Sequence, residues 1–153
     1  MTQNRLRHGF PKSVRIVSSD DFGRVLRSEQ PGVIRLGRDS VSVCALAHRQ
    51  TGRVRFGFTV GKRNVPLSVD RALVKRVMRE VARYSLPDIQ MQCRNLDIGI
   101  DISLRYRSSL RTTGGQVTLS AAKRSVRRSA QLCLQALCKR LKSVAQAVYQ
   151  TER

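Results

Sequence analysis

Tryptophan is absent, and four Phe and three Tyr are the only aromatic residues, 5% of the chain. A hydrophobic core must therefore be aliphatic, and aromatic platforms for stacking bases are few. Carboxylates are scarce as well: ten Asp and Glu stand against thirty Lys and Arg. A metal-dependent nuclease centre needs acidic residues gathered around its ions, and here they are scattered. The pairs that present themselves are Asp20 with Asp21, which suits the start of a helix, and Asp97 with Asp101. Two histidines, His8 and His48, have no nucleophile or acid arranged near them in the sequence. The four cysteines, Cys44, Cys93, Cys133 and Cys138, include no CxxC pair. They do not form a zinc site and read as small buried hydrophobes in a reducing compartment. The glycine-rich phosphate loops and the HExxH zinc motif are missing too. No catalytic residue is expected in this polypeptide and no metal ligand.

Long apolar runs are also missing. The opening residues hold no secretory core, and no stretch approaches the ~18 residues of a membrane span. The expectation is a soluble cytoplasmic protein with no membrane partner.

What is abundant is positive charge. A net charge of +20 on 153 residues destabilises a compact state unless a polyanion offsets it. Nucleic acid is the partner this predicts. Hydrophobic residues still make up 41% of the chain, enough for a folded domain. Residues 1–15 read as a basic N-terminal tail, 16–149 as one RNA-binding domain, and 150–153 as a C-terminal tail.

The pattern along the domain predicts mixed elements. Ser18 or Ser19 caps a short helix whose first turn holds Asp20 and Asp21 and whose apolar face is Phe22, Val25 and Leu26. Strands follow over Val33–Leu36 and Val41–Leu46, with 48–52 as a hairpin loop. Residues 53–60 alternate, placing Val54, Phe56, Phe58 and Val60 on one face and Arg55, Gly57 and Thr59 on the other. Gly61 to Leu67 is a basic loop. Ser68 then caps a helix over Val69–Tyr84, ending before Pro87, with Val69, Leu73, Val77, Val81 and Tyr84 as its buried stripe. Leu96–Leu104 is a strand, and Ser120–Tyr149 a long helix. Helix, three strands, helix, strand, helix describes an α+β sandwich of one sheet and its helices.

Two regions concentrate the basic residues. Residues 53–83 carry nine, with Asp70 and Glu80; residues 105–142 carry ten and no acid. Arg71, Lys75, Arg79 and Arg83 recur every four residues beside Arg76. Like charges at that spacing repel, with Arg76–Glu80 the one clear relief, and phosphates along the ridge would reverse the penalty. Phe22 has two readings: a core residue packing its helix on the sheet, or the edge of a cleft bordered by Arg55 and Thr59. Gly57 weakens its strand, and close approach of a ligand to the strand backbone is one reason to keep it.

The segments RFGFTVGKRNV (55–65) and VDRALVKRVMRE (69–80) resemble the signature of bacterial ribonuclease P protein, a strand and basic loop leading into an RNRxKRxxRE helix. SDDFGRVL (19–26) resembles the family's first helix. The resemblance implies a two-layer α-β sandwich, a four-stranded sheet with helices on one face and a left-handed βαβ crossover, a fold shared with a ribosomal protein domain. It implies the protein subunit of a ribonucleoprotein endonuclease that removes the 5′ leader of precursor tRNA. Magnesium would be held by the RNA subunit rather than by this chain. Lys62, Arg63, Arg71, Lys75, Arg76 and Arg79 would contact the catalytic RNA, and Phe22, Arg55 and Thr59 the single-stranded leader. No obligate protein partner is expected. The chain departs from the pattern at Ala72 and Leu73, at Leu26, and at Cys44, where relatives often carry an aromatic.

A different class of reading is a non-enzymatic RNA-binding protein on a related ribosomal-type fold. A DNA-binding module with the 69–84 helix in the major groove fits less well, because Asn and Gln readers are missing from that helix.

Overall fold

A computed structural model describes residues 10–27, 29, 31–110 and 119–150. The elements run α1 (Ser19–Arg27), β1 (Val33–Arg38), β2 (Val41–His48), β3 (Val54–Val60), α2 (Ser68–Asn95), β4 (Gly99–Tyr106) and α3 (Leu119–Gln150), with one 3-10 turn at Lys12–Val14 before them. The four strands form a single sheet in the order β1-β2-β4-β3. β1, β2 and β4 pair antiparallel, and β3 lies parallel to β4. The α+β class and the four-stranded sheet expected from the sequence are both present.

Period-two alternation divides the sheet into two faces. Ile34 pairs with Ala45 and Ala45 with Ile102, and Phe56 pairs with Ile102 on its other side. These residues belong to the main core, which α2 and α3 close with Val77, Met78, Ile89, Leu134, Leu137 and Leu141. The opposite face carries Leu46, Cys44, Asp101, Ser103, Arg55, Gly57 and Thr59 in matching register. There α1 lies on the sheet, and Ile16, Val25 and Leu46 make a smaller cluster with Phe22, Val33 and Cys44 against it. The two long helices thus share one face, while the short helix occupies the other.

Several sequence expectations need correction. Residues 48–52 do not join a hairpin, because β4 inserts between β2 and β3; the turn that does join paired strands is at Asp39, with φ 49°. Residues 10–15 do not behave as a tail. Phe10 and Val14 are buried in the main core, and Ile16 N–H donates to Phe56 C=O at 2.9 Å, covering the edge of β3. The rest of the expected tail, His8 included, and the C-terminal 151–153 lie outside the described residues.

The α2 helix runs past Pro87 to Asn95, eleven residues beyond the expected end. An internal proline removes one helix hydrogen bond and costs about 3 kcal/mol. Burial of Ile89 alone returns about 1.5–3 kcal/mol, and Cys93 is fully buried a turn further on. The helix begins at Ser68 with Leu67 as its N-cap residue, which makes no side-chain capping hydrogen bond. Its buried stripe is Val74, Val77, Met78, Val81, Ala82, Ile89 and Cys93, while Val69 and Tyr84 are 77% and 83% exposed. The expected stripe advanced mostly in fours. With 3.6 residues per turn, each step of four rotates about 40° away from the core, so mixed threes and fours are needed to stay on it.

Candidate nucleic-acid interface

The short α1 is placed by three local devices. Ser18 Oγ accepts from the backbone N–H groups of Asp20 (3.2 Å) and Asp21 (3.4 Å), capping its first turn. Val25 is fully buried against the sheet, and the Cys44 thiol donates to Val25 C=O at 3.2 Å. Burial pushes that thiol's pKa up against the lowering pull of Arg35. Phe22 supplies the third contact. A Cβ at Gly57 would lie 2.2 Å from the Phe22 ring, so only glycine lets the ring seat on this strand. The close approach that Gly57 permits is therefore by Phe22 of the same chain.

Beside that seat runs an open groove of about 640 Å³ lined by Val17, Ser18, Phe22, Leu26, Arg27 and Thr59 among others. Val17 is 71% exposed and Leu26 44% exposed, so its walls are largely apolar. Phe22 and Thr59, expected together at a cleft, do border this one.

Arg55 lies elsewhere, toward the other flank of α1. Its guanidinium forks onto Asp101, with Nε to Oδ1 at 2.8 Å and Nη2 to Oδ2 at 2.7 Å, and Nη1 reaches Asp21 at 3.2 Å. His48 Nε2 lies 3.6 Å from Asp101 Oδ1. Asp101 is 6% exposed. Burial would raise its carboxyl pKa, but the neighbouring His48 imidazole and the hydrogen bonds and charge of Arg55 outweigh that and hold it at about 2. The same fork raises the pKa of Arg55. This network lines a second groove, of about 700 Å³, with Arg24, His48, Arg49 and Gln50 on its walls. Asp101 thus has the arginine partner that a lone strand carboxylate needs, and Asp97 sits apart in a turn with φ 60°, accepting from Thr51 Oγ1 at 2.6 Å.

The basic residues of the loop and α2 spread rather than align. Lys62, Arg63, Arg76 and Arg79 are exposed, while Arg71 and Lys75 are half-buried. Arg71 Nη1 donates to the carbonyls of Val65 (2.9 Å) and Pro66 (2.7 Å), fastening the basic loop to the start of α2. Arg79 sits over the Phe58 ring at 6.0 Å. Glu80, expected to relieve Arg76, pairs with Arg127 of α3 at 3.7 Å. The partnership between the two long helices was not visible in a helix read alone. Sequence reasoning also missed the His48–Asp101–Arg55–Asp21 network. Arg55 and Asp101 each stand out of phase with their apolar neighbours, which was the available signal, but their pairing follows from a strand order that the sequence does not display.

Among the described residues no group of three or more His, Cys, Asp or Glu side chains is placed to hold a metal ion. All four cysteines are free, and no described helix is long and apolar enough to cross a membrane.

Residues 10–130 match the family model of ribonuclease P. This chain belongs to the ribonuclease P protein family. A curated relative, the ribonuclease P protein component of Paraburkholderia xenovorans (strain LB400), is 29% identical over 79 residues, and the alignment covers 52% of each chain. The chain thus matches about half the length of that relative. The solved structure of the Staphylococcus aureus ribonuclease P protein is similar in fold, with a TM-score of 0.56 at 17% identity, covering 81% of this chain and 94% of that one.

Proposed function

We propose that this chain is the protein subunit of a ribonuclease P, binding the catalytic RNA and the single-stranded 5′ leader of precursor tRNA, and thereby promoting 5′ maturation. The observation that carries this reading is the groove beside α1, in a family member with a net charge of +20. A half-buried Phe22 ring, exposed Val17 and Leu26 and the polar rim of Ser18, Thr59 and Arg27 offer what an unpaired base needs: an apolar or aromatic surface and edge donors. Arg55 serves this site by positioning, since its fork to Asp101 and Asp21 ties the sheet to the start of α1.

Lys62, Arg63, Lys75, Arg76 and Arg79 would meet the phosphates of the RNA subunit. Arg71 would fix the loop that presents Lys62 and Arg63. The dispersed carboxylates support leaving the catalytic magnesium ions to the RNA subunit, and a cytoplasmic setting suits the four free thiols. In the test, the protein is added to a ribonuclease P RNA at low magnesium with precursor tRNA as substrate. Cleavage should rise with the protein present, and the protein without RNA should cleave nothing. Unchanged activity of the RNA would favour the non-enzymatic RNA-binding alternative.

A further inference from the structure

The α3 helix has 32 residues, and its sequence contains no Asp or Glu. Its outward stripe is Arg124, Arg128, Gln131, Gln135, Lys139 and Lys142, all exposed. Steps of three and four keep these residues on one side of the helix, while Val126, Leu134, Leu137 and Leu141 are buried on the other. Two pairs of cations are therefore separated by two amides, and the run from Arg124 to Lys139 covers about 22 Å of helix axis at 1.5 Å per residue. The stripe continues past residue 130, where the match to the family ends.

This stripe lies apart from the groove beside α1. α3 packs on the α2 face of the sheet, and the Phe22 groove is on the opposite face. A solubilising face would mix both signs of charge, and an anionic membrane would want apolar side chains beside the cations; this stripe offers neither. Cations at both ends with amides between them suit double-stranded RNA. Its phosphates can take the charges, and its wide, shallow minor groove displays 2′-hydroxyls that both accept from and donate to an amide.

We infer that the outer face of α3 is a further RNA-binding surface, which takes the backbone and minor groove of a double-helical RNA segment. The inference rests on the chain being an RNA-binding member of its family, but it uses neither the leader nor the groove beside α1.

The test compares the full chain with the R124Q/R128Q/K139Q/K142Q variant for binding to a fully paired RNA duplex, a single-stranded leader oligonucleotide, anionic phospholipid vesicles and polyglutamate. The variant should lose about 10- to 100-fold in duplex affinity, and its log–log salt slope should become shallower by about three to four. Leader affinity should change less than about threefold. A second variant, Q131E/Q135E, keeps every cation and should also weaken duplex binding, because it places carboxylates against the phosphates. Duplex affinity and salt slope unchanged in both variants would overturn the inference. So would equal losses for duplex and leader, or losses confined to vesicles or polyglutamate. Loss of duplex binding with the leader still preferred by the unaltered chain supports both readings. Loss of duplex binding without any leader preference leaves this surface standing and removes the leader site.

Discussion

The two faces of the sheet are built on different principles. One is closed by α2 and α3 over side chains such as Ile102, Phe56, Met78 and Leu137, none more than 1% exposed. The other is covered in part by the nine residues of α1, whose buried apolar contacts come from Val25 with Ile16 and Leu46. What the second face lacks in apolar area it supplies in specific contacts: the Phe22 ring on Gly57, the Ser18 cap, and the Arg55 fork to Asp101 and Asp21. It also leaves a buried hydroxyl, Ser103 Oγ, without a hydrogen-bond partner among the described residues, which is a cost an optimised core avoids. A face held by a few directional contacts leaves two grooves open beside it, and the proposed leader site is one of them. A face closed by interdigitated aliphatic side chains is arranged for stability.

That contrast is broken most severely by emptying the closed face. Ile102→Ala removes a fully buried side chain from the central strand β4, and should cost about 2–5 kcal/mol of unfolding free energy. Denaturant unfolding measures it, and affinities of the remaining folded protein for precursor and mature tRNA should fall together or not at all. A cost below ~1 kcal/mol would mean that this face is not the stabilising one.

The next effect belongs to the α1 face and appears in acid. The pKa of Asp101 is held at about 2 in the fold, against 3.8 ordinarily. The folded value is the lower one, so the stabilisation is complete above the unfolded pKa and disappears as pH falls from about 4 toward 2. The shift corresponds to about 2 kcal/mol. Unfolding free energies measured at stepped pH should fall by this much more in the original chain than in Asp101→Asn. Parallel pH curves for the two proteins would show that the fork does not hold α1.

The closed face was the more legible one in the sequence. Alternation over Val54–Val60 identified its β3 residues, and periodicity found Val77 and Val81. Its errors were of phase and length, at Val69, Tyr84 and Pro87, where tertiary packing extends a helix beyond its local signals. The α1 face was legible in parts. Phe22, Arg55, Gly57 and Thr59 were identified by phase, and the first-turn carboxylates by capping chemistry. Their grouping was not legible, because β4 inserts between β2 and β3, and long-range register has no local signature. Hence Arg55, expected to touch RNA, proved to be bound to Asp101 and Asp21, and the space beside Gly57 proved to be filled by Phe22.

In the proposed function, the groove beside α1 holds single-stranded RNA through Phe22. That role is tested most directly by Phe22→Ala, with affinities for precursor and mature tRNA measured in the reconstituted ribonucleoprotein and thermal unfolding followed in parallel. A stacked base is worth about 1–3 kcal/mol, so precursor affinity should fall roughly 5- to 100-fold while mature tRNA binding stays the same. Equal losses for both RNAs, together with a destabilisation of about 3–5 kcal/mol, would contradict the account and make Phe22 a packing residue.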